Sequence, residues 1–262
     1  MSRIAIIAGS GALPAALAAA VADPVVAAMD GFLPDGLTPD LVFRLERLAP
    51  LLAELAACDV ERVIFAGAVR RPSLDPALFD PRTAAMVPRI LAAMQSGDDG
   101  LLRAVVAVFE EAGFTVIGVS DIAPHLVPPE GVLAGAVTEQ DRRDTERAVQ
   151  IVGALGGVDV GQGTVVAEGQ CLAVETLPGT DAMLDWVAAT RQGTGGVFFK
   201  APKPEQDRRI DLPTLGVATI RRAAAAGLSC VAWEANGVIL LDREALVAEA
   251  AEKGITLWAR AS

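Results

Sequence analysis

Short apolar runs alternate with helical segments through the first half of the chain, and this alternation limits the possible folds more than any other feature. Strand-like runs such as RIAIIAG, PVVAAMDG, ERVIFAGAV and FTVIGVSDI are separated by helical patterns such as LPAALAAAVAD and APLLAELAAC. Strands spaced in this way pair in parallel and are joined by right-handed helical crossovers. We therefore predict an N-terminal Rossmann-like domain, a parallel three-layer α/β structure, over residues 1–122.

The second half has a more mixed strand pattern. Residues 123–134, APHLVPPEGVLA, are rich in proline, lack periodicity and are predicted to be a linker. The next helix begins with a capping-box pattern of Thr138 and Asp141, and its charged early turns predict that it starts in solvent and ends in the core. The runs that follow, from GTVVAEG to the last helix REALVAEAAEKG, predict a C-terminal mixed α/β domain over residues 135–262.

The N-terminal residues 4–22 carry no charge, so they resemble a signal peptide or a membrane span. The cluster GSGALP at their centre favours instead a strand, a tight turn and a helix with Pro14 in its first turn. The three cysteines, Cys58, Cys171 and Cys230, are odd in number and far apart, which fits reduced thiols. We therefore expect a cytoplasmic protein.

The composition excludes some kinds of chemistry. A formal net charge of −11 argues against a nucleic-acid partner, because binding phosphates requires a clustered basic surface. The chain has one histidine, His125, and no tyrosine, which argues against histidine relays and multi-histidine metal sites. Carboxylates and lysines must therefore carry any catalysis.

Two turns in the first domain are candidate ligand sites. GSG at 9–11 precedes a helix whose N-terminus attracts anions, although a plain tight turn also explains the glycines. GAVRRP at 67–72 follows a predicted parallel strand at the edge where α/β sheets bind ligands, and a solvated arginine pair is the alternative. The candidate substrate-binding residues here are Gly9, Ser10, Gly11, Gly67, Arg70 and Arg71.

A third candidate is GTD at 179–181, between two predicted strands of the second domain. Gly179 allows a close approach of the backbone to a ligand, and either Thr180 or Asp181 can cap the helix that follows. Ordinary capping explains this motif, and substrate binding by all three residues is the functional alternative.

The segment KAPKPEQDRRIDLPTLG at 200–216 concentrates charge between apolar flanks. Its three prolines exclude a regular helix or a central strand, so we predict a loop. If residues 207–211 are extended, Asp207 and Asp211 stand about 13 Å apart at Cα, too far to chelate one ion, and one of them pairs with Arg209. A turn would instead bring the two carboxylates together.

We predict that this segment is a catalytic or phosphate-binding loop, and a solvated surface loop is the alternative. Lysines that bind phosphates and an aspartate that binds a metal ion or water are the groups that phosphoryl chemistry needs. The predicted catalytic residues are Asp211, Asp207, Lys200 and Lys203, and the predicted substrate-binding residues are Gln206 and Arg209.

Almost from end to end, the chain resembles the LpxI family, the UDP-2,3-diacylglucosamine pyrophosphatases of lipid A biosynthesis. The resemblance rests on IAGSGALP, GAVRRP and GDDGLLR, on DVGQGTVVAEGQCLAVETLPGTDAML, and on the segment 200–216. The chain departs from the family at LPGTD, where an acidic residue commonly precedes the glycine, and at KPEQD, where glycine commonly follows the proline. The resemblance implies an enzyme that uses Mg²⁺ and water to produce UMP and 2,3-diacylglucosamine 1-phosphate (lipid X).

The same resemblance implies the site and the partners. The catalytic aspartate belongs to QDRRIDLPTLG, with Asp211 as first choice and Asp207 as second, and both are candidate Mg²⁺ ligands. The substrate is a lipid-linked sugar nucleotide, whose acyl chains need an apolar crypt that a cleft between the domains can supply. The resemblance also implies a homodimer attached loosely to the inner face of the inner membrane.

Two other functions fit parts of the sequence. A non-catalytic sugar-nucleotide-binding or regulatory protein would use the charged loops for recognition alone. A nicotinamide-dependent oxidoreductase would use the N-terminal turn with Asp30 as a ribose ligand, but Pro14 stands where the dinucleotide fingerprint needs glycine.

Overall fold

The protein is represented by a computed structural model that describes residues 3–69, 74–94, 98–204 and 206–261. The chain divides into two compact units. The first contains Met1–Ala123 and Arg209–Asp211, and the second contains Pro124–Arg208 and Leu212–Ser262. The predicted two-domain α/β architecture is confirmed, whereas the predicted boundaries at residues 122 and 135 stay predictions.

The first unit is built on a parallel sheet whose described strands run in the order β3-β2-β1-β4-β5. Its strands are β1 (Arg3–Ala8), β2 (Val25–Met29), β3 (Leu41–Phe43), β4 (Val60–Ala66) and β5 (Thr115–Val116). Its helices are α1 (Leu13–Ala20), α2 (Leu48–Ala57), α3 (Pro81–Met94), α4 (Asp98–Glu111) and α5 (Val119–Ile122). The connections between successive strands return the chain to the same end of the sheet, through helices everywhere except between β2 and β3, where residues 30–40 do so without a helix.

The interior of this unit is made by side chains from strands and helices together. Leu55 of α2, Val63 of β4 and Phe109 of α4 belong to one buried cluster. The uncharged N-terminal stretch forms β1 and α1, as the breaker cluster predicts. Among the described residues, no helix combines the length and the apolar character that crossing a membrane requires.

Two strands of the first unit differ from the sequence pattern. The run FTVIGVSDI forms only the short strand β5, because α5 begins directly after Gly118. The Gly118 amide donates a hydrogen bond to the Asp121 carboxylate at 2.8 Å, which caps α5 within the apolar run. The polar connection after β2 contains the strand β3, which pairs with β2 at the edge of the sheet.

The second unit contains a mixed sheet whose described strands run in the order β6-β13-β11-β9-β7-β8. Its strands are β6 (Gly131–Ala134), β7 (Gly163–Ala167), β8 (Gln170–Val174), β9 (Val197–Lys200), β11 (Cys230–Glu234) and β13 (Thr256–Arg260). A separate parallel pair joins β10 (Thr214–Leu215) to β12 (Ile239–Leu240). Its helices are α6 (Glu139–Gly156), α7 (Gly179–Thr190), α8 (Val217–Ala225) and α9 (Arg243–Lys253).

Helices cover both faces of this sheet. Phe198 and Phe199 are neighbours on β9, so their side chains point to opposite faces. Phe199 packs in one cluster with Val152 of α6, and Phe198 packs in another with Leu184 of α7 and Ile220 of α8. The strand therefore lies in a three-layer arrangement, which fixes the position of its last residue.

The start of helix α6 is exposed only in part: Glu139, Arg142 and Arg143 are exposed, as predicted, whereas Asp141 and Asp144 are buried. The predicted capping box is present, with the Thr138 amide bound to Asp141 at 2.9 Å. Asp144 is fully buried and accepts hydrogen bonds from the backbone amides of Glu168 and Gly169 at 3.2 and 2.7 Å. Asp144 is buried because it binds donors from a turn that is distant in sequence, which polarity alone does not reveal.

Three strands of the second unit lie where the sequence pattern indicates none. One of them, β10, lies inside the predicted loop 200–216 and pairs with β12. Gly131–Ala134, inside the predicted linker, forms β6 and pairs antiparallel with β13 at the edge of the sheet. The strand β13 follows the last predicted helix and pairs in parallel with β11. All three depend on a partner strand rather than on a strong local pattern.

Candidate functional site

Several strands of the second unit's sheet begin or end at the same side, at the carboxyl ends of β9 and β11, which is called the sheet edge below. β9 and β11 are parallel and end together, because Lys200 pairs with Trp233 and Glu234 follows it. The antiparallel strand β7 begins at the same edge, since its Gly163 pairs with Lys200. The charged segment 200–216 leaves the sheet here, at the carboxyl ends of parallel strands, where α/β proteins commonly bind ligands.

Lys200 is held in place at this edge by two side chains. Its side chain is 6% exposed, and its ammonium group donates to Glu175 Oε2 at 3.0 Å and to Thr180 Oγ1. The Thr180 hydroxyl donates in turn to Glu175 Oε2 at 3.0 Å. The structure thus brings together two predicted site residues, Lys200 and Thr180, with Glu175, which the sequence pattern does not single out.

The GTD motif does not act as a simple helix cap. Pro178 is the N-cap of α7, and no side chain caps that position. Thr180 instead contacts Lys200 and Glu175, whereas Asp181 lies on an exposed position 3.4 Å from Arg222. Gly179 has φ +86°, a conformation that favours glycine. Helix capping by Thr180 or Asp181 is therefore wrong, and substrate binding by the motif stays a prediction.

Lys203 and Gln206 form the next part of the segment. The Lys203 ammonium forms an ion pair with Asp159, which follows α6. The buried Gln206 side-chain oxygen accepts hydrogen bonds from the Lys203 amide at 2.8 Å and from Gln162 Nε2 at 2.6 Å. Gln206 therefore holds the loop against the start of β7, and its predicted contact with a substrate stays untested.

Asp207 and Asp211 flank a turn. Residues 208–210 are in turn conformation, so the fully extended geometry is not adopted. Both aspartates are half-buried. A carboxylate is a hard oxygen ligand of the kind that Mg²⁺ accepts together with water and substrate phosphates, so either side chain suits such an ion, and the metal-binding role of both stays a prediction. Among the described residues, no three His, Cys, Asp or Glu side chains gather into a metal-binding group.

The two arginines between these aspartates bind glutamates. Arg208 forms an ion pair with Glu234 at the end of β11, at 2.6 Å. Arg209 donates to Glu110 of α4 at 2.8 Å. The predicted role of Arg209 in substrate binding stays a prediction, and these contacts show how charged side chains anchor the segment.

In the first unit, the glycine turns after β1 and β4 meet backbone to backbone. The Gly9 amide donates to the Ala66 carbonyl at 2.7 Å, and Ser10 and Ala68 exchange two backbone hydrogen bonds at 2.9 and 2.8 Å. A Cβ on Gly9 would lie 2.6 Å from the Ala68 oxygen, and one on Gly67 would lie 2.7 Å from the Gly9 carbonyl carbon. The amides of Gly9 and Ser10 are therefore already bound to carbonyl groups.

These turns nevertheless lie at the expected ligand-binding place of the first sheet. β1 and β4 are neighbours where the strand order changes direction, which is the switch point at which open α/β sheets bind ligands. Gly11 has φ +100°, which favours glycine. Arg70 and Arg71 lie outside the described residues, so their predicted role stays a prediction, as do those of Gly9, Ser10, Gly11 and Gly67.

Comparisons with known proteins cover both units. The LpxI N-terminal domain model matches residues 3–126, and the LpxI C-terminal domain model matches residues 129–258. A relative from Caulobacter vibrioides, named UDP-2,3-diacylglucosamine pyrophosphatase LpxI, is 39% identical over 272 aligned positions. The alignment covers 97% of this chain and 96% of the relative.

Proposed function

The chain belongs to the LpxI family, and from that premise we propose that it hydrolyses the pyrophosphate bond of UDP-2,3-diacylglucosamine to give UMP and 2,3-diacylglucosamine 1-phosphate. The relative from Caulobacter vibrioides carries the name of this activity and aligns over nearly the whole chain. The structural observation that carries the proposal is the buried ammonium of Lys200 at a sheet edge from which an aspartate-containing loop departs.

The lysines of the segment would bind the diphosphate. Lysine supplies a positive charge and N–H donors for phosphoryl oxygens, whose negative charge must be neutralised for attack by water. Two side chains fix Lys200, so its side chain loses little conformational entropy when the substrate binds. Lys203, 12% exposed and bound to Asp159, would contribute a second positive charge.

Asp211 would accept a proton from the attacking water. A new P–O bond forms between the water oxygen and the phosphorus of the UMP half, and the bond from that phosphorus to the bridging oxygen breaks. The bridging oxygen leaves with 2,3-diacylglucosamine 1-phosphate. A half-buried carboxylate suits this role, because it is accessible to water and still held by the fold.

Either Asp211 or Asp207 would hold Mg²⁺, which is the second part of the proposal. The bound ion would neutralise phosphate charge and lower the pKa of a bound water. The dependence of UMP release on the Mg²⁺ concentration in Asp207→Asn and Asp211→Asn distinguishes the two roles. The variant that lacks the metal ligand should need more Mg²⁺, and the variant that lacks the proton acceptor should not.

The test is release of UMP from UDP-2,3-diacylglucosamine by the purified protein, with added Mg²⁺ and with EDTA. The proposal expects UMP only with protein and Mg²⁺, and expects ¹⁸O from labelled water to appear in UMP. Tight binding of the substrate without UMP release under any divalent metal would replace hydrolysis by the non-catalytic, sugar-nucleotide-binding function.

Two further features of the proposal concern the setting of the enzyme. A diacylated substrate resides in a lipid surface, so we expect weak attachment to vesicles that contain it, and no attachment driven by charge because the net charge is −11. We also expect a homodimer. Vesicle sedimentation measures the attachment to lipid, and analytical ultracentrifugation measures the oligomeric state. A monomer at all concentrations would contradict the expected homodimer.

A further inference from the structure

Three polar side chains from separate elements of the second unit bind one another at the sheet edge. Glu175 follows β8, Thr180 lies in the first turn of α7, and Lys200 ends β9. Each of the three contacts the other two. The carboxylate is 14% exposed and the lysine side chain 6%, so water competes little for these contacts.

Each proton of the Thr180 hydroxyl and the Lys200 ammonium can be assigned to an acceptor in the protein or on a ligand. The Thr180 hydroxyl has a single proton, which it donates to Glu175, so it acts toward Lys200 as an acceptor. The Lys200 ammonium has three N–H groups, and in the described part of the chain its acceptors are the Glu175 carboxylate and the Thr180 hydroxyl. Glu175 Oε2 lies at 3.0 Å and Oε1 at a longer 3.4 Å, so one N–H shared by the two carboxylate oxygens and one N–H to Thr180 leave the third N–H to bind a ligand.

The position of Glu175 is secured by two glycines. A Cβ on Gly163 would lie 2.7 Å from Glu175 Oε2, and a Cβ on Gly161 would lie 2.1 Å from the Glu175 backbone oxygen. The Glu175 amide donates to the Gly163 carbonyl at 2.8 Å. The GQG motif at 161–163 thus leaves the space that this glutamate fills.

We propose that Glu175 is a positioning residue for the reaction: with Thr180 it directs the remaining N–H of Lys200 toward a phosphoryl oxygen of the diphosphate substrate. This inference rests on the proposed function. Glu175 itself contacts neither the substrate nor the water, and it acts through Lys200. A fixed ammonium gains its full interaction in the transition state without reorganisation.

Loss of stability alone does not test this role. A buried ammonium needs a carboxylate for its charge whether or not it takes part in a reaction, so removing Glu175 destabilises the fold in either case. Positioning differs because it acts on turnover through Lys200. Its effect must therefore disappear when Lys200 is absent.

The experiment is a double-mutant cycle of Glu175→Gln and Lys200→Met, with kcat and KM measured for each folded variant. We expect Glu175→Gln to lower kcat about 10–100-fold, with a smaller change in KM. In the Lys200→Met background, the same change should lower kcat by less than about three-fold. A normal kcat for folded Glu175→Gln, or an equal loss in both backgrounds, would overturn the proposal.

A second pair of variants covers the case in which Glu175→Gln does not fold. Thr180→Val removes the hydroxyl and should lower kcat, whereas Thr180→Ser keeps the hydroxyl and should lower kcat less. Equal losses of kcat in the two variants would overturn the proposal. Glu249→Gln on α9 is the matched control, because it removes a carboxylate that binds Arg221 of α8 and Lys253 of α9. It should keep normal kcat. Wild-type protein that releases no UMP would contradict the proposed function itself, a result distinct from active protein with an unaffected Glu175 variant.

Discussion

At the residue scale, Gly9 and Gly67 lie so close together that neither has room for a side chain. Glycine in the turn after a first β-strand is the feature that indicates a phosphate site in a sequence. Here the glycines are needed because two backbone segments exchange hydrogen bonds through Ser10 and Ala68. The sequence alone leaves these two causes open, because both require the same residue type.

Gly9→Ala should therefore destabilise the protein in the absence of any ligand. The new Cβ would lie 2.6 Å from the Ala68 oxygen, and relieving that contact should cost about 1–3 kcal/mol in the free energy of unfolding. Urea unfolding measures this difference. The control is Gly153→Ala on α6, where a Cβ would have no atom within 4 Å and helix propensity predicts a gain of up to about 1 kcal/mol. Equal stability of the Gly9 variant and wild type would contradict the proposed backbone contact.

Glu46 shows how burial and hydrogen bonding together set a pKa in the first unit. Burial alone would raise its pKa, but hydrogen bonds from the Arg44 guanidinium at 2.9 Å and the Asp75 amide at 2.8 Å outweigh it, and the pKa lies below its ordinary value. The charged form is therefore favoured in the folded state. Its contribution to stability is complete above the unfolded-state pKa, about 4.3, and is lost as the pH falls through the lower folded-state value.

Glu46→Gln should accordingly destabilise the protein more at pH 7 than at acid pH. We expect a loss of about 1–3 kcal/mol at pH 7 that shrinks as the pH falls below about 4. Urea unfolding at several pH values gives both numbers. Glu61→Gln at an exposed position of β4 is the control, with a change below about 0.5 kcal/mol throughout. A Glu46 effect that is constant, or that grows toward acid pH, would show the assigned direction to be wrong.

At the scale of elements, the sequence pattern predicts most helices and central strands because their apolar spacing is strong. It fails where an element depends on a partner. β6 forms by pairing with β13, and β13 by pairing with β6 and β11. Helix α5 begins through a hydrogen bond between Gly118 and Asp121, and Asp144 near the start of α6 is buried because it binds a distant turn. None of these contacts leaves a periodic signal in its own segment.

Asp144→Ala tests the buried carboxylate near the start of α6. It would remove the acceptor of the Glu168 and Gly169 amides and the fully buried side chain that holds their turn, which should cost about 1–3 kcal/mol in the free energy of unfolding. Urea unfolding provides the measurement. Glu146→Ala lies on the exposed face of the same helix and should cost less than about 0.5 kcal/mol. Comparable small effects of the two substitutions would mean that Asp144 does not hold the β7–β8 turn.

At the scale of the whole molecule, the candidate site residues that the structure describes lie at the ends of strands and helices and in the loops that follow them. Lys200 and Thr180 are recognisable in advance because they belong to long, distinctive motifs, and the structure joins them. Glu175 is not, because an acid after a strand is ordinary until its partners are known. The turn at 208–210 could be expressed only as an alternative, since three prolines exclude regular structure without choosing a loop geometry.

The most direct test of the proposed hydrolysis is the turnover number of UMP release from UDP-2,3-diacylglucosamine. It is measured for the Asp211→Asn variant and, in parallel, for Asp207→Asn. Asparagine keeps the size of the side chain and removes the charge that would accept a proton or hold Mg²⁺. Asp185→Asn, on an exposed position of α7, is the control with normal turnover. We predict that folded Asp211→Asn loses about 10²–10⁴-fold in kcat. Near-normal turnover in both folded variants would contradict the assignment of the reaction to this loop.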